Sequence, residues 1–333
     1  MRLPVLVIAP LDEAMRTYGT FLNNQWTKSL KDESDPFVLI NGALHQHGVF
    51  VYLPPKTIVE TPIQLLHVID AGKTPMLLHP RFHLFAGAQS EVSFASSIAH
   101  ISGSQYCLNQ TAEFAIEEDA HVHYTQMTND QGAGAWVFDA VRAQLKRNST
   151  LKTVCASNGS VSVRHDYRVA LTGENAEVSL NGLWMLSDKN EFHSNILIEH
   201  QAPHCRSNQL FKGVLSDFSR SSFEGKILVR QAAQKTEAFQ LNNNLLLSDR
   251  ANADSKPNLE IFADDVKASH GATVGQLDDE LIFYLKARGF SDKDAKDILV
   301  HSYCKDILDL IKIPSVARDM DERSRSFTTT ILL

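Results

Sequence analysis

The chain has 333 residues, 43 % of them apolar and 21 % charged, and a formal net charge of −7 at pH 7. That length supports a large buried core in one domain or two, and the composition excludes a disordered chain. Lysines and arginines are scattered among acidic residues, so no basic stripe is offered to a nucleic-acid backbone.

The start of the chain, RLPVLVIAP, is apolar but bracketed by Pro4 and Pro10, with no small-residue cleavage pattern after it. No later run reaches the roughly 18 apolar residues of a membrane span. Both points indicate the cytoplasm and no membrane partner. Residues 11–36 predict a short helix or two around EAMRTYGTFLNNQWTKSLKD, broken at Asp35-Pro36.

From Phe37 the texture changes. FVLINGALHQHGVFVYLPPKTIVETPIQLLHVID alternates short apolar runs with Asn-Gly, His-Gly, Pro-Pro and Thr-Pro, which predicts strands and turns. EVSFASSIAHI, HVHYTQMT, AWVFDAVRAQL, EVSLNGLWML, SNILIEH, GKILVRQ and LEIFADDVKASH continue the pattern for more than two hundred residues, with almost no 3.6-residue period between them. Phe211-Lys212-Gly213-Val214-Leu215 and Phe223-Glu224-Gly225-Lys226-Ile227-Leu228 form a weak F-x-G-x-[IV]-L repeat. Evenly spaced strands without helices leave a sandwich, a propeller or a coiled solenoid. The solenoid is preferred because the strands are short and Ser93, Ser96, Asn181, Asn195 and Asn242 to Asn244 recur where stacked coils would turn.

After Thr273 the period switches to helix. Thr273-Val274-Gly275-Gln276 reads as a T-x-x-Q capping box, Leu277, Leu281, Tyr284 and Leu285 as an apolar stripe, and Gly289 as the stop. Ser291 caps a second helix in which Ala295, Ile298, Leu299, Tyr303, Ile307 and Leu310 repeat before Pro314. The expected organisation is a helical segment over 1–36, a solenoid over 37–272, and a helical subdomain with tail over 273–333. The closing two-helix unit would cap the open coil end or receive a partner.

KPNLEIFADDVKASHGATVGQLDDELIFYLKARGFSDKDAKDILVHSYCKDIL, with NGALHQHGVFVYLPPKTIVETPIQLLHV upstream, resembles the SufB/SufD family of iron–sulfur cluster assembly proteins over about residues 37–312. His-Gly-Ala-Thr stands where SufB members usually carry His-Glu-Ala-Thr, which favours the SufD branch. The resemblance implies a right-handed parallel β-helix with helical flanks, a non-catalytic scaffold subunit, a SufB-like paralogue as partner, and a SufC-like ABC ATPase on the C-terminal helices. It also implies a capacity to homodimerise when isolated. The helical region ahead of the strands is shorter than the family leads one to expect, and Ala268 stands where many relatives have Cys.

His270 is the candidate ligand: imidazole suits iron, and the resemblance places the family's proposed metal-site histidine here. One imidazole cannot hold a cluster alone, so no cofactor is expected on this chain by itself, and iron or a cluster would be shared with the SufB-like partner. A histidine that merely fixes the strand-to-helix junction is the plain alternative. Asp264 and Asp265 have the look of an acid/base pair, as in a carbohydrate-active β-helix enzyme, but neighbours on a strand face opposite ways. His121 and His123 share a strand face without a third ligand, and Pro203 denies His200, His204 and Cys205 enforced convergence.

Cys107, Cys155, Cys205 and Cys304 are dispersed, without a C-x-x-C pair, and Cys304 reads as a helical core residue. No G-x-x-x-x-G-K-[ST] occurs, so ATP chemistry would come from another chain. Leu281, Tyr284 and Phe290 are the candidate apolar anchors for that ATPase. A carbohydrate-active enzyme and a purely structural adaptor remain the alternatives to the assembly scaffold.

Overall fold

The computed structural model describes residues 5–30, 33–103, 105–128 and 134–331, with the backbone alone for 25–30. The chain begins with β1 (Val7–Pro10), α1 (Leu11–Leu30, kinked at Tyr18), α2 (Pro36–Leu44) and β2 (His47–Leu53). The coils follow as β3 (Ile63–Asp70), β4 (Met76–Leu78), β5 (Pro80–Ala86), β6 (Glu91–Ser102), β7 (Tyr106–Ile116), β8 (His121–Thr128), β9 (Ala135–Leu145) and β10 (Thr150–Asn158). They continue with β11 (Ser162–Leu171), β12 (Glu177–Leu186), β13 (Glu191–His200), β14 (Arg206–Leu215), β15 (Arg220–Val229), β16 (Thr236–Leu246), β17 (Asn252–Ile261) and β18 (Val266–Gly275). Three helices close the described chain: α3 (Asp279–Lys286), α4 (Asp292–Leu308) and α5 (Pro314–Ile331).

From β5 onward successive strands alternate between two sheets. One runs β1-β2-β5-β7-β9-β11-β13-β15-β17, with β4 also beside β7; the other runs β18-β16-β14-β12-β10-β8-β6-β3. Every pairing is parallel except β1 with β2. The result is the expected mainly-β parallel solenoid, of about 8 turns.

Each coil turns a corner through one residue in the left-handed region: Lys56, Gln89, Asp119, Asn148, Asn175, His204 and Lys235, all with φ near +60°. The N–H of each donates to a carbonyl of the next coil, as in Asn148 to Glu174 at 2.9 Å and His204 to Gln234 at 2.9 Å. Asn and Asp tolerate this conformation best, and the Asn148 side chain reaches Asp119 at 2.8 Å. The amide ladder at the turns is therefore real, but it uses other residues than those expected. Ser93, Ser96, Asn181, Asn195 and Asn242 to Asn244 lie inside strands, where period-2 burial rather than turning dictates their side.

Between the sheets, alternate side chains fill a narrow lumen. Aromatic rings pack through it: Phe82 edge-on to Phe94, Phe114 edge-on to Tyr124, Trp184 stacked on Phe192 with centroids 4.6 Å apart, and Phe211 tilted against Phe223. The glycines of the F-x-G repeat make room for this stack. A Cβ on Gly213 would lie 2.1 Å from the Trp184 indole nitrogen.

The segment FVLINGAL, expected as a strand, is helix α2. Asp35 caps it, its carboxylate accepting the N–H groups of Phe37 (3.0 Å) and Val38 (3.1 Å), and Pro36 opens the first turn. The Asn-Gly pair therefore sits in a helix, with Asn41 buried and its amide donating to the carbonyls of Pro80 and Asn109. An ion-pair network ties this region to the sheet: Arg142 meets Glu33 at 2.6 Å and Asp166 at 2.7 Å, and Arg164 meets Asp35 at 2.5 Å. Burial pushes the Glu33 carboxyl up, but the hydrogen bond and charge of Arg142 outweigh it and hold it below the usual range.

The C-terminal helices also differ from expectation. Thr273 to Gly275 stay in β18, where Thr273 donates to the Asn243 side chain at 2.8 Å, so the T-x-x-Q box caps nothing. Asp278 is the cap of α3, and Ser291 caps α4 as its sequence indicates. Pro314 does not end the helices but starts a third, α5. The buried face of α4 is Ala295, Val300, Cys304, Ile307 and Leu308, about one residue round from the expected stripe, and Ile298 and Leu310 are exposed.

α4 and α5 lie along the outer face of the eight-stranded sheet, sharing an apolar layer with Ala95, Met127, Val154, Ala156, Leu183, Met185 and Val214. Lys212 anchors α4 through Asp306 (2.6 Å) and the Tyr303 carbonyl (3.0 Å), under the Tyr303 ring. The helices thus leave the terminal coil uncapped among the described residues, because the outward side chains of β6, β8, β10, β12 and β14 supply the larger apolar face.

Candidate functional site

β17 and β18 end their sheets, so the last coil presents two ladders of backbone groups with no further strand among the described residues. His270 lies on β18. Its register partners run Gln240, Gln209, Leu180, Thr153, Tyr124 and Phe94 back through the solenoid. All six are buried, at 3 % exposure or less, and face the lumen. His270 continues that column into open solvent: it is exposed because the coil that would bury it is missing.

Its lumen-facing neighbours on β18 are Val266, Ala268, Ala272 and Val274, in register with the buried Thr236, Ala238, Asn242 and Asn244. The opposite rim on β17 carries Ala253, Ser255, Pro257 and Leu259, in register with buried Ser221, Phe223 and Ile227 and with Gly225. The coil end is therefore a mostly small and apolar rim with one imidazole on it. Ala268 adds no thiol beside His270.

Asp264 and Asp265, read as part of one continuous strand, occupy the bend between β17 and β18. The backbone of Asp265 is tied to the preceding coil, its N–H donating to the Gln234 side chain at 3.0 Å and its carbonyl accepting the N–H of Lys235 at 2.5 Å. Both carboxylates are exposed; Asp265 lines the edge of a polar cleft with His204, Arg206, Lys235 and Glu237, and no Phe, Tyr or Trp lines that cleft among the described residues. Trp184 stacks inside the lumen instead of lining a saccharide cleft. Nothing at this bend favours the carbohydrate-active reading.

The other histidine clusters resolve into local bonding. His121 Nδ1 lies 2.9 Å from Thr150 Oγ1, His200 is buried with Nε2 2.8 Å from Ser207 Oγ, and His204 is a corner residue of the turn ladder. Burial pushes the His200 pKa down to about 4. No group of three or more His, Cys, Asp or Glu side chains that could hold a metal ion occurs among the described residues.

Burial also raises the thiols, Cys155 to about 12 and Cys205 and Cys304 to about 11, with Cys107 raised too. Cys304 packs in the α4 core, as its helical setting indicates. A thiol so shifted is a poor cluster ligand near neutral pH, and His270 is the one exposed imidazole on the coil end.

α3 carries the second candidate surface. Leu281, Tyr284 and Phe290 are exposed, and Ile282 is the one buried residue of α3. Phe283, absent from the expected anchors, is the most exposed of the group at 74 %. A helix of eight residues that turns two aromatics and a leucine to solvent is an apolar patch of the kind that partners cover.

The lumen holds a polar vein that strand alternation did not single out. Gln110, Asp139, His165 and Ser194 follow one another in register along the ten-stranded sheet, opposite Ser96, Gln126 and Cys155. A cavity of about 270 Å³ reaches Asp139 from the N-terminal mouth, past His47, His67, Leu66 and Tyr124. Burial drives the Asp139 carboxyl up to about 7 despite the carboxamides of Gln126 and Gln110 beside it, and drives His165 down to about 3. Polar residues at every second position of strands whose other face is also covered leave no sequence signal for which side is interior.

The chain matches two family models: the SUF system FeS cluster assembly SufBD core domain over residues 67–303, and the SufBD protein N-terminal region over residues 2–65. It is 32 % identical over 295 residues to an iron–sulfur cluster assembly SufBD family protein of Synechocystis, covering 86 % of this chain and 64 % of that one. To the iron–sulfur cluster assembly protein SufD of Escherichia coli it is 33 % identical over 253 residues, 75 % of this chain and 60 % of that one. The chloroplastic protein ABCI7 of Arabidopsis thaliana is 28 % identical over 333 residues, 96 % of this chain and 67 % of its own length. The chain therefore spans about two thirds, or slightly less, of the length of these relatives. No helix among the described residues is long and apolar enough to cross a membrane.

Proposed function

The chain belongs to the SufB/SufD family of iron–sulfur cluster assembly proteins, and from that premise we propose that it acts as a SufD-type, non-catalytic scaffold subunit in the cytoplasm. It joins a SufB-like paralogue through its terminal coil, carries a SufC-like ABC ATPase on α3, and lends His270 to the seam where iron and sulfide are assembled. The observation that carries this reading is the column ending at His270. A lumen-facing imidazole exposed on an unpaired edge strand becomes enclosed as soon as a second sheet continues the ladder.

Enclosure changes its chemistry. A neutral imidazole surrounded by small side chains has a free nitrogen lone pair and no competing water, which suits a borderline metal ion such as ferrous iron. The partner must supply the other ligands, because this chain brings no thiolate to the rim. Iron and sulfide are cargo in this scheme, and energy enters through the ATPase. When purified alone, the chain is expected to pair two copies of its own terminal coil.

The test is co-expression with the paralogue and the ATPase, followed by anaerobic iron and sulfide analysis of the copurified complex. His270→Ala is expected to leave complex recovery and the melting curve unchanged and to lower cluster content. Unchanged iron and sulfide would remove His270 from the mechanism and favour a purely structural adaptor.

A further inference from the structure

Where the connection between α4 and α5 crosses the outer face of the eight-stranded sheet, it roofs a cavity of about 220 Å³. The floor is a row at one register across four neighbouring strands: His123 of β8, Lys152 of β10, Ser179 of β12 and Asn208 of β14. Their chain neighbours Val122, Leu151, Val178 and Ser207 are buried, so the row faces outward. Lys312 and Ile313 come down from the connection, and the first turn of α5 begins at the same rim.

Two lysines thus approach one pocket, and the ammonium group of neither forms an ion pair or hydrogen bond among the described residues. Other lysines on these sheets do: Lys226 holds Glu260, Lys256 holds Glu224 and Lys267 holds Glu237. Burial, then the charge of Lys152 and of Lys312, with a smaller contribution from His121, keep His123 below its ordinary pKa against the pull of Glu91. The Asn181 amide donates to Ser179 Oγ at 3.0 Å, which leaves the Ser179 hydroxyl proton free to be donated into the cavity. The positive end of the α5 dipole adds to the same field. One carboxylate, Glu177, also lines the cavity and opposes it.

We propose that this cavity binds a tetrahedral oxyanion, either inorganic phosphate or the phosphoryl head of a small metabolite, held between Lys152 and Lys312 and capped by the hydroxyl of Ser179. Donors on the sheet floor and on the roof converge from opposite sides, which suits an anion with oxygens in several directions better than a planar carboxylate. Among the described residues no Phe, Tyr or Trp lines the cavity, and its one ring is the His123 imidazole in the floor row, so a nucleobase finds little to stack on.

The experiment is calorimetric titration of the full chain with inorganic phosphate and, separately, glycerol phosphate, at constant ionic strength in sodium chloride. Saturable binding is expected, weakened by at least about tenfold in Lys152→Ala/Lys312→Ala and unchanged in Lys189→Ala, an exposed lysine elsewhere. Glu177→Gln is expected to tighten it. Stronger binding of glycerol phosphate would identify a metabolite head as the source, and equal binding would identify free phosphate. Absence of saturable binding, or wild-type affinity in a double variant with a wild-type melting curve, would overturn the proposal. So would weaker binding by Glu177→Gln.

Discussion

Asp139→Asn replaces a buried acid by its neutral isostere at the floor of the lumen cavity. The carboxyl is 2 % exposed, and burial raises its pKa from 3.8 to about 7. Between those two values the unfolded chain has already released a proton that the folded chain retains. Stability therefore falls as pH rises, by about 1.4 kcal/mol per pH unit, and levels off above the folded pKa at a loss of roughly 4 kcal/mol. At pH 5 less than half of that loss has set in, and at pH 8 nearly all of it. Asparagine does not titrate, so its contribution is flat over the same range.

Urea unfolding followed through tryptophan fluorescence, with Trp184 buried in the lumen, measures both proteins at both values. The variant is expected to gain about 2–3 kcal/mol on wild type between pH 5 and pH 8, whatever the offset caused by exchanging an oxygen for an amide group. A stability difference that stays constant to within about 0.5 kcal/mol would refute a buried acid titrating near neutrality.

Two further outcomes are expected. Phe283→Asp, on the most exposed aromatic of α3, should change stability by no more than about 0.5 kcal/mol, while copurification of the ATPase subunit falls sharply; normal recovery would exclude α3 as its dock. Ala272→Lys places a cation on the lumen-facing rim of β18, in register with buried Asn242. It should shift the isolated chain toward the monomer in light scattering without lowering its melting temperature, and an unchanged mass would exclude terminal-coil pairing.

The solenoid was legible in the sequence because each coil repeats the same local demand: a short apolar strand, then a polar corner. Ser291 was legible as a cap because capping depends on three neighbouring residues, whose N–H of Asp294 meets the Ser291 oxygen at 3.0 Å. The misreadings have a common origin. FVLINGAL has the short apolar run and Asn-Gly punctuation of a strand, but it follows a capping Asp35 and pairs with no strand, so its amides are satisfied within a helix. Thr273 to Gly275 match a capping box but are held by β16, and a ladder already formed outweighs a cap worth about 1 kcal/mol.

By itself, the sequence determined the strand rhythm, the family motif around His270, the scarcity of clustered thiols and the absence of a phosphate loop. These are statements about residue types and spacing over a few positions. Only the tertiary structure decided which face of each strand is lumen, that α4 and α5 lie on a sheet instead of the coil end, and that His270 ends a buried column in solvent. It alone joined Lys152 to Lys312, 160 positions apart, over one cavity. The physical reason is that a parallel ladder brings residues about thirty positions apart to within roughly 4.8 Å, and the register that does so is set by the stacked core and corner hydrogen bonds, not by any local stretch of chain.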